Sequence, residues 1–300
     1  MTAALRGVAR VQAYPALALM RDTNTLWNAS LQLCYERRAE RTVMTANEHF
    51  GPLVVQKSLY PEGFDVCQTV ILHPPGGIAG GDQLAIDVRA DASTVVQLTT
   101  PGATKWYKAN GRAAAQYVAL ACADNAVVEW LPLENIVFDG AIGRSTLAVD
   151  LRGNASAAGW DIAAFGRAAS GERFGHGRFR QTIELRRDGE LLWAEYADVR
   201  GSDPLFASAI GFAGHTVSGL MWVASRAPVS DTMLEACRAV GTRMASSIRC
   251  GLTLLPGGVL LARCLCDSTE VARSWLIEVW ALLRPSYARR EAVVPRLWLT

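Results

Sequence analysis

Apolar and polar residues alternate along much of the chain between residue 26 and about residue 200. Successive side chains of a strand point to opposite faces, so each alternating run predicts a strand with one buried and one solvated face. Runs of this kind, separated by turn formers about every ten residues, predict an all-β sandwich or solenoid. The apolar positions of four such runs are Leu31, Leu33 and Tyr35; Leu84, Ile86 and Val88; Leu147, Val149 and Leu151; and Phe179, Ile183 and Leu185 around Gln181.

Glycine and proline mark the turns between these strands. The Asp-Gly pairs at 139–140 and 188–189 are typical of β-hairpins. The stretch from His73 to Asp82, HPPGGIAGGD, predicts a connection of several turns, because a strand-like run follows it rather than the helix that a phosphate-binding loop requires. No repeat period is visible, so sequence identity alone does not support a strict solenoid.

Past residue 230 the hydrophobic period changes from two to about 3.6, which predicts a helix. A capping box from Thr232 to Glu235 indicates where this helix begins. Its apolar face consists of Met233, Cys237, Val240, Met244 and Ile248.

A hairpin and a second helix complete the chain. Residues 252–255 and 259–266 flank Pro-Gly-Gly, which predicts the hairpin, and the helix is predicted from Ser268 to Arg284, with Pro285 ending it. Trp280 lies off the apolar face of this helix, and we predict that it contacts a partner protein. We therefore divide the chain into a β-rich body, 1–230, and a helix-hairpin-helix part, 231–300, packed on it as one structural unit. The apolar face of the second helix is Val271, Trp275, Val279 and Leu283.

Composition narrows the class of protein. The chain has 300 residues, of which 50% are hydrophobic and 19% charged, and this balance excludes a disordered chain or a coiled coil. The formal net charge of +2 gives no field that favours nucleic acid or a membrane surface as the main partner. Seven scattered cysteines, an odd number, suit reduced thiols in the cytoplasm better than a disulfide framework.

Two apolar segments do not predict a targeting signal or a membrane span. Val11 to Met20 is interrupted by Gln12 and Pro15, which argues against a secretory signal. Leu205 to Ser225 has no formal charge, but its glycines and small polar residues are typical of a buried segment rather than of a helix facing lipid.

No motif of a familiar enzyme class is present. The chain has neither His-Glu-x-x-His nor Gly-x-Ser-x-Gly, and Cys264 and Cys266 lack a second ligand pair at zinc spacing. Carboxylates near turns, such as Glu134 and Asp139, leave open a polysaccharide-active hydrolase or lyase on a β-helix. A plain structural binding module is a further alternative.

A series of short motifs runs through most of residues 27–300. They are HFGPLVVQK from His49, YPEG from Tyr60, HPPGGIAGGD from His73, TPGATKWY from Thr100, EWLP from Glu129, FDGA from Phe138, GR at 166–167, SGERF from Ser170, LRP from Leu283 and PRLW from Pro295. In this order they resemble the urease accessory protein family UreD, also called UreH. Leu133 departs from the family's usual Gln, and Gln83 stands where some members carry a second acid.

The resemblance implies a β-helix-like, two-layer β structure with helices near the C-terminus. It implies a non-enzymatic chaperone of urease maturation, which forms a complex with UreF and the GTPase UreG, binds apo-urease and helps to deliver Ni²⁺. No tightly bound cofactor is expected, since Ni²⁺ would be in transit. A transit route needs oxygen or imidazole ligands that each release the ion readily.

Six residues are predicted to line this nickel route. Four are carried over from the family-like motifs and their surroundings, and two, a carboxylate and an imidazole four residues apart in a Gly-flanked loop, are added because they could share a cation. The four are Asp82, Thr104, Asp161 and Glu195, and the two are Glu172 and His176.

Overall fold

Two β-sheets packed face to face form the body of the protein. A computed structural model describes residues 27–299, so the apolar segment Val11 to Met20 lies outside the described residues. The strands of the described part are β1 (Asn28–Arg38), β2 (Arg41–Phe50), β3 (Val54–Leu59), β4 (Val66–Leu72), β5 (Gly77–Ile78), β6 (Gln83–Ala90), β7 (Val95–Thr99), β8 (Thr104–Trp106), β9 (Ala114–Cys122), β10 (Val127–Trp130), β11 (Asn135–Val137), β12 (Ile142–Leu151), β13 (Ser156–Phe165), β14 (Arg178–Arg187), β15 (Glu190–Arg200), β16 (Val217–Ala224), β17 (Arg249–Leu255) and β18 (Val259–Cys266).

The two sheets arise from a chain that winds as a solenoid. The first sheet has the order β15-β14-β12-β9-β6-β1-β2, and the second runs β17-β18-β16-β13-β10-β7-β4-β3, with β5, β8 and β11 alongside. Each coil passes through a strand of the second sheet, a short strand beside it and a strand of the first sheet, and successive coils pair in parallel. Gln83, Ala115, Arg144 and Arg180 occupy equivalent positions in successive coils. This confirms the predicted β-helix-like, two-layer β class.

Inward-facing side chains of both sheets form the first core. Leu31, Leu33 and Tyr35 are completely buried on β1, as their alternation predicts, and Tyr35 Oη lies 2.7 Å from Thr69 Oγ1 on the opposite sheet. Trp106 and Phe179 pack edge to face between the layers. The interior between the sheets is therefore filled mainly by apolar side chains.

Two helices form a second core on the outer face of the second sheet. They are α1 (Asp231–Arg243) and α2 (Thr269–Ala288). Trp160 on β13, Trp275 on α2 and Cys237 on α1 are all buried in this layer. The C-terminal hairpin, β17 and β18, extends the same sheet on which the helices lie. No helix between residues 27 and 299 combines the length and apolar character needed to cross a bilayer.

The first helix differs from the prediction at both ends, since Met244 and Ile248 of its predicted face lie beyond Arg243, and the second helix differs at one end. α1 begins earlier than the predicted capping box, because Ser230 is its N-cap and accepts a hydrogen bond from the Met233 N–H. α2 begins after Ser268 as predicted, but Pro285 lies inside it instead of ending it. A proline in the last turn removes a single helical hydrogen bond, and Arg289 ends the helix by donating its N–H to the Pro285 carbonyl.

The prediction of a hairpin is confirmed at one Asp-Gly pair and wrong at the other. Residues 188–189 join β14 and β15 as an antiparallel hairpin. Residues 139–140 instead form a corner between the sheets, since β11 pairs with β8 and β13 while β12 pairs with β9 and β14. A glycine at positive φ suits either kind of turn, so the local sequence does not distinguish them.

Candidate functional site

A cavity of about 250 Å³ lies between the two sheets. Asp161 projects into it from β13, on the strand face that carries Ala157 and Ala163 of the inner core. The Asn135 side chain on β11 donates a hydrogen bond of 3.0 Å from Nδ2 to Asp161 Oδ2, and its Oδ1 accepts one of 2.9 Å from the Trp106 indole. The amide is thereby fixed with its donor towards the carboxylate.

The environment of Asp161 opposes its ionisation. Burial raises the pKa of Asp161 to about 6, although hydrogen bonds from Gln181 and Asn135 favour the charged form and limit the rise. The carboxyl group therefore changes its charge close to neutral pH. It can accept a cation in exchange for a proton without holding a permanent charge against the apolar wall.

Loops of three successive coils contribute to the lining of the cavity. Thr104, at the start of β8, lines the cavity together with His73. Burial lowers the pKa of His73, and the nearby Asp82 opposes this effect. Asp82 is itself buried and accepts the Ala79 N–H at 2.8 Å through Oδ2, so it closes the glycine-rich connection.

Glu195 lies outside this cavity, in a groove of about 750 Å³ at the open edge of the sandwich. It sits on β15, opposite Ile183 of β14, and its Oε2 accepts a hydrogen bond of 2.6 Å from Arg263 on β18. This ion pair joins the two sheets where no strand closes the gap. The structure thus places Asp161 and Glu195 in separate spaces of the same interlayer.

Glu172 and His176 belong to a loop cluster organised by Asp139. The Asp139 Oδ1 accepts the backbone N–H groups of Gly175 and His176, and Oδ2 lies 3.2 Å from His176 Nδ1. Glu172 accepts 2.6 Å and 3.1 Å hydrogen bonds from Arg167 and the Asp139 N–H. In this structure Glu172 is bound to Arg167 and His176 to Asp139, and a cation shared by Glu172 and His176 stays a prediction.

Trp280 is completely buried, so the prediction that it contacts a partner protein is wrong. Its indole Nε1 donates a 2.8 Å hydrogen bond to Glu129, and its ring packs against Trp160 and Trp298. The helical-wheel prediction fails here because both the sheet and the C-terminal chain pack against α2. Together they cover more than one face of the helix.

Several family-like motifs meet at a buried ion cluster beside Trp280. Arg284 of the LRP motif donates to Glu129 of EWLP and to Glu62 of YPEG, with distances from 2.6 to 3.1 Å, and its side chain is fully buried. Tyr287 also donates to Glu129, at 2.6 Å. Burial opposes the charge of Arg284, but the two carboxylates raise its pKa further. These motifs therefore fix α2 on the sheet.

Asn135 and Gln181 are the polar cavity residues that the sequence prediction missed. Gln181 alternates in phase with buried Phe179 and Ile183, so a polar side chain occupies an inward position of its strand. Gln116 and Ser145 interrupt β9 and β12 in the same way and also line the cavity. A polar residue in phase with an apolar run is the signal that would have identified them.

The cavity is not a tight metal centre. Between residues 27 and 299, no three side chains of His, Cys, Asp or Glu are placed to hold a metal ion together. Asp161 accepts hydrogen bonds from the Asn135 and Gln181 amides and shares the cavity with the Thr104 hydroxyl. A single carboxylate with a hydroxyl nearby suits weak, exchangeable coordination of a divalent cation.

Comparison with known proteins assigns the chain to a family. The family model described as UreD urease accessory protein matches residues 28–299. The chain belongs to the UreD family. Relatives named urease accessory protein UreD come from Dechloromonas aromatica, with 49% identity over 91% of this chain and 95% of the relative, and from Pseudomonas aeruginosa, with 47% identity over the same shares. A protein named urease accessory protein UreD 2 from Pseudomonas syringae pv. tomato is 48% identical, again over 91% and 95%.

Membership of the UreD family makes the chain an accessory protein rather than an enzyme. The carboxylates of the alternative hydrolase have structural contacts: Glu134 pairs with Arg273 at 3.2 Å, and Asp139 organises its loop. Leu133, where the motif resemblance implies Gln, lines the cavity wall. The wall is therefore more apolar here than a glutamine would make it.

Proposed function

We propose that the chain is a urease maturation chaperone of the cytoplasm, which binds apo-urease together with UreF and UreG and helps to deliver Ni²⁺ to the urease active site. The observation that carries this proposal is the polar cavity around Asp161 between the two sheets. The relatives' name, urease accessory protein, supports the link to urease. Nickel is the cargo of this protein and not its resident cofactor.

The donors around the cavity suit an ion that must leave again. The Asp161 carboxylate, with the Thr104 hydroxyl in the same cavity, attracts a divalent cation without enclosing it in a four-ligand site. The pKa of Asp161, raised by burial to about 6, allows the ion to compete with a proton for the same oxygens near neutral pH. The ion and the proton then replace each other at the Asp161 carboxylate. Its negative charge is therefore compensated in either state, as the apolar surroundings require.

Asp161 and Glu195 define a direction for the route. In the second sheet, Asp161 is opposite Leu220 on β16, and Leu220 is opposite Arg263 on β18, the partner of Glu195. Two strand spacings of about 4.8 Å separate the first and last of these strands, so a cation would move about 10 Å along the interlayer to reach the edge groove. Thr104, His73 and Asp82 lie towards the other end.

Exposed apolar side chains support a role in a complex. Six large hydrophobic side chains expose more than half of their surface and are available for contact with partner proteins, although single residues of this kind also occur on monomers. They are Trp27, Phe50, Phe64, Leu191, Tyr196 and Ile210. We expect the isolated chain to be poorly soluble without its partners.

The test blocks the route while preserving the fold. Asp161→Leu and Glu195→Leu replace the carboxylates with bulky apolar side chains and should yield intact accessory complexes that activate urease several-fold less. Nickel content and activity of the matured urease are measured after co-expression, and complex assembly is checked by pull-down of the tagged variants.

Two variants serve as matched controls. Glu190→Leu changes an exposed acid on the same strand as Glu195, and Asp161→Asn keeps the volume at position 161. Glu190→Leu should deliver nickel normally, and Asp161→Asn should retain more delivery than Asp161→Leu. Normal nickel content in urease matured with Asp161→Leu and with Glu195→Leu would contradict the proposal. Loss of the accessory complex in these variants would instead assign the two acids to folding.

A further inference from the structure

Three of the seven free cysteines lie together where the C-terminal hairpin meets the helices. Cys250 on β17 is directly opposite Cys264 on the antiparallel strand β18, and Cys266 is two residues further along β18. Directly opposed residues of antiparallel strands have Cα atoms about 4.5 or 5.5 Å apart, and both distances fall within the range of about 4.4–6.8 Å that a disulfide requires. The backbone register alone therefore permits a cross-strand bond.

Both sulfur atoms lie on the helix side of the sheet. The Cys250 Sγ is 2.3 Å from the position that a Cβ at Gly241 of α1 would take, and the Cys264 Sγ is 2.6 Å from the corresponding position at Gly219 of β16. Opposed side chains share a face of the sheet, so rotation about χ1 can bring the two sulfurs together without turning a strand over. β17 is the edge strand of its sheet, which leaves it free to adjust.

Access distinguishes Cys250 from its neighbours. Cys250 is exposed and lines both the edge groove beside Glu195 and a second groove between α1 and β17, whereas Cys264 and Cys266 are 2% and 1% exposed. A hydrogen bond from Cys264 lowers the pKa of Cys266 to about 7, but burial keeps that thiolate away from solutes. Burial raises the pKa of Cys250, so its reactive form increases above neutral pH.

We propose that the pair Cys250 and Cys264 is a thiol modification site that hydroperoxides convert to a cross-strand disulfide. The Cys250 thiolate attacks one oxygen of hydrogen peroxide, the O–O bond breaks, and the hydroxide that leaves takes up a proton to form water. The Cys264 sulfur then attacks the resulting sulfenic acid, the S–O bond breaks, and the departing hydroxide takes up the Cys264 proton as a second water. The two sulfurs lose two electrons in total, and the peroxide gains them.

The disulfide would change the contacts of α1. Its formation draws the Cys250 sulfur away from Gly241 and from the neighbouring Trp275 indole, and it ties the edge strand to β18 beside the Glu195–Arg263 ion pair. The modification would therefore act on the wall of the edge groove, independently of whether that groove carries nickel.

The chain contains the cleavage sites that make the test decisive. Trypsin cuts after Arg249 and Arg263, so Cys250 lies on peptide 250–263, while Cys264 and Cys266 share peptide 264–273. Purified full-length protein is reduced, freed of reductant, treated with hydrogen peroxide at pH 7 and pH 8.5, alkylated and digested without reductant. Mass spectrometry should find the two peptides joined, several-fold more at pH 8.5, and separated again by dithiothreitol.

Two serine variants assign the sulfur on β18. Cys264→Ser should reduce the joined peptides at least tenfold, and Cys266→Ser should leave them in place; fragmentation of the joined peptides of the parent protein gives the same assignment without a substitution. A bond confined to peptide 264–273, joined peptides that persist in Cys264→Ser, or Cys250 found as sulfinic acid with Cys264 still alkylated would each overturn the proposal.

Discussion

At position 161 a carboxylic acid occupies an inward position of β13 that alanine occupies at positions 157 and 163. Its pKa is raised from the usual 3.8 to about 6, chiefly by burial. Between these two values the unfolded chain loses the proton while the folded chain keeps it, so the folded state binds more protons. The free energy of unfolding therefore falls as the pH rises from about 4 to 6, and the loss is complete above the folded-state pKa.

Asp161→Asn should remove this pH dependence. We expect the variant to match the parent protein near pH 4 and to exceed its free energy of unfolding by about 2–3 kcal/mol above pH 6.5, since one pKa unit corresponds to about 1.4 kcal/mol. Urea unfolding at pH 4 and pH 7 measures the difference. A variant that is less stable than the parent at pH 7 would show that the ionised carboxylate contributes favourable contacts instead.

The contacts of individual side chains were the least predictable feature of this site. Asp161 was expected on the nickel route from motif position, and the structure puts it in the cavity, but its partners Asn135 and Gln181 come from other coils. Glu172 and His176 are close in sequence, and this spacing alone predicts that they share an ion. Asp139, more than thirty residues away, binds one of them and donates its N–H to the other.

At the level of elements, α2 is held by polar contacts as well as by its apolar face. Glu129 accepts hydrogen bonds from Trp280, Arg284 and Tyr287 on the helix and from Gln97 on the neighbouring strand. Breaking a buried pair by removing one partner typically costs about 3–5 kcal/mol, because the remaining charge stays buried. The helix therefore depends on a strand distant in sequence.

Trp280→Ala should lower stability rather than weaken one interface selectively. Removal of this buried indole leaves a cavity and takes away one of the hydrogen bonds that Glu129 Oε1 accepts, and we expect a loss of about 3–5 kcal/mol in the free energy of unfolding. Leu282→Ala, a neighbouring residue with 37% of its surface exposed, is the control and should cost much less. Thermal unfolding of both variants distinguishes them; equal melting temperatures would contradict the burial of Trp280.

Element types were predictable where periodicity was strong. The alternation on β1, β6, β12 and β14, the hairpin at 188–189 and the two C-terminal helices all follow from local patterns. The corner at 139–140 and the continuation of α2 through Pro285 depend on pairing with distant strands and on the buried Arg284. Because these tertiary contacts involve residues distant in sequence, the local sequence at the corner or at the helix end does not predict them.

For the whole molecule, strand order determines which parts resist opening. β9 and β12 are paired on both sides in the first sheet, as are β10 and β13 in the second, while β2 and β3 lie at sheet edges. Amide hydrogens exchange through local opening, which is easiest where few buried contacts are lost. Protection of the amide hydrogens should therefore decrease from the central strands to the edge strands of each sheet.

Hydrogen-exchange mass spectrometry of the full chain should show this gradient. We expect the slowest exchange in β9, β10, β12 and β13 and exchange at least tenfold faster in β2 and β3. The hairpin formed by β14 and β15 offers an internal comparison, because β15 is an edge strand and β14 is not. Uniform protection across both sheets would contradict the stacked-coil arrangement as the unit of stability.

The ion cluster of Arg284 also has a consequence for synthesis on the ribosome. Its contact with Glu62 joins residues 222 positions apart. The parallel coils can stack in the order in which they emerge, but Glu62 and Glu129 have no counter-charge from this arginine until Arg284 has been translated. The nascent protein therefore carries two acids at sites that α2 neutralises only later. Closure of the second core must wait until α2 has emerged from the ribosome, which gives this protein a late folding step that a chaperone or partner can influence.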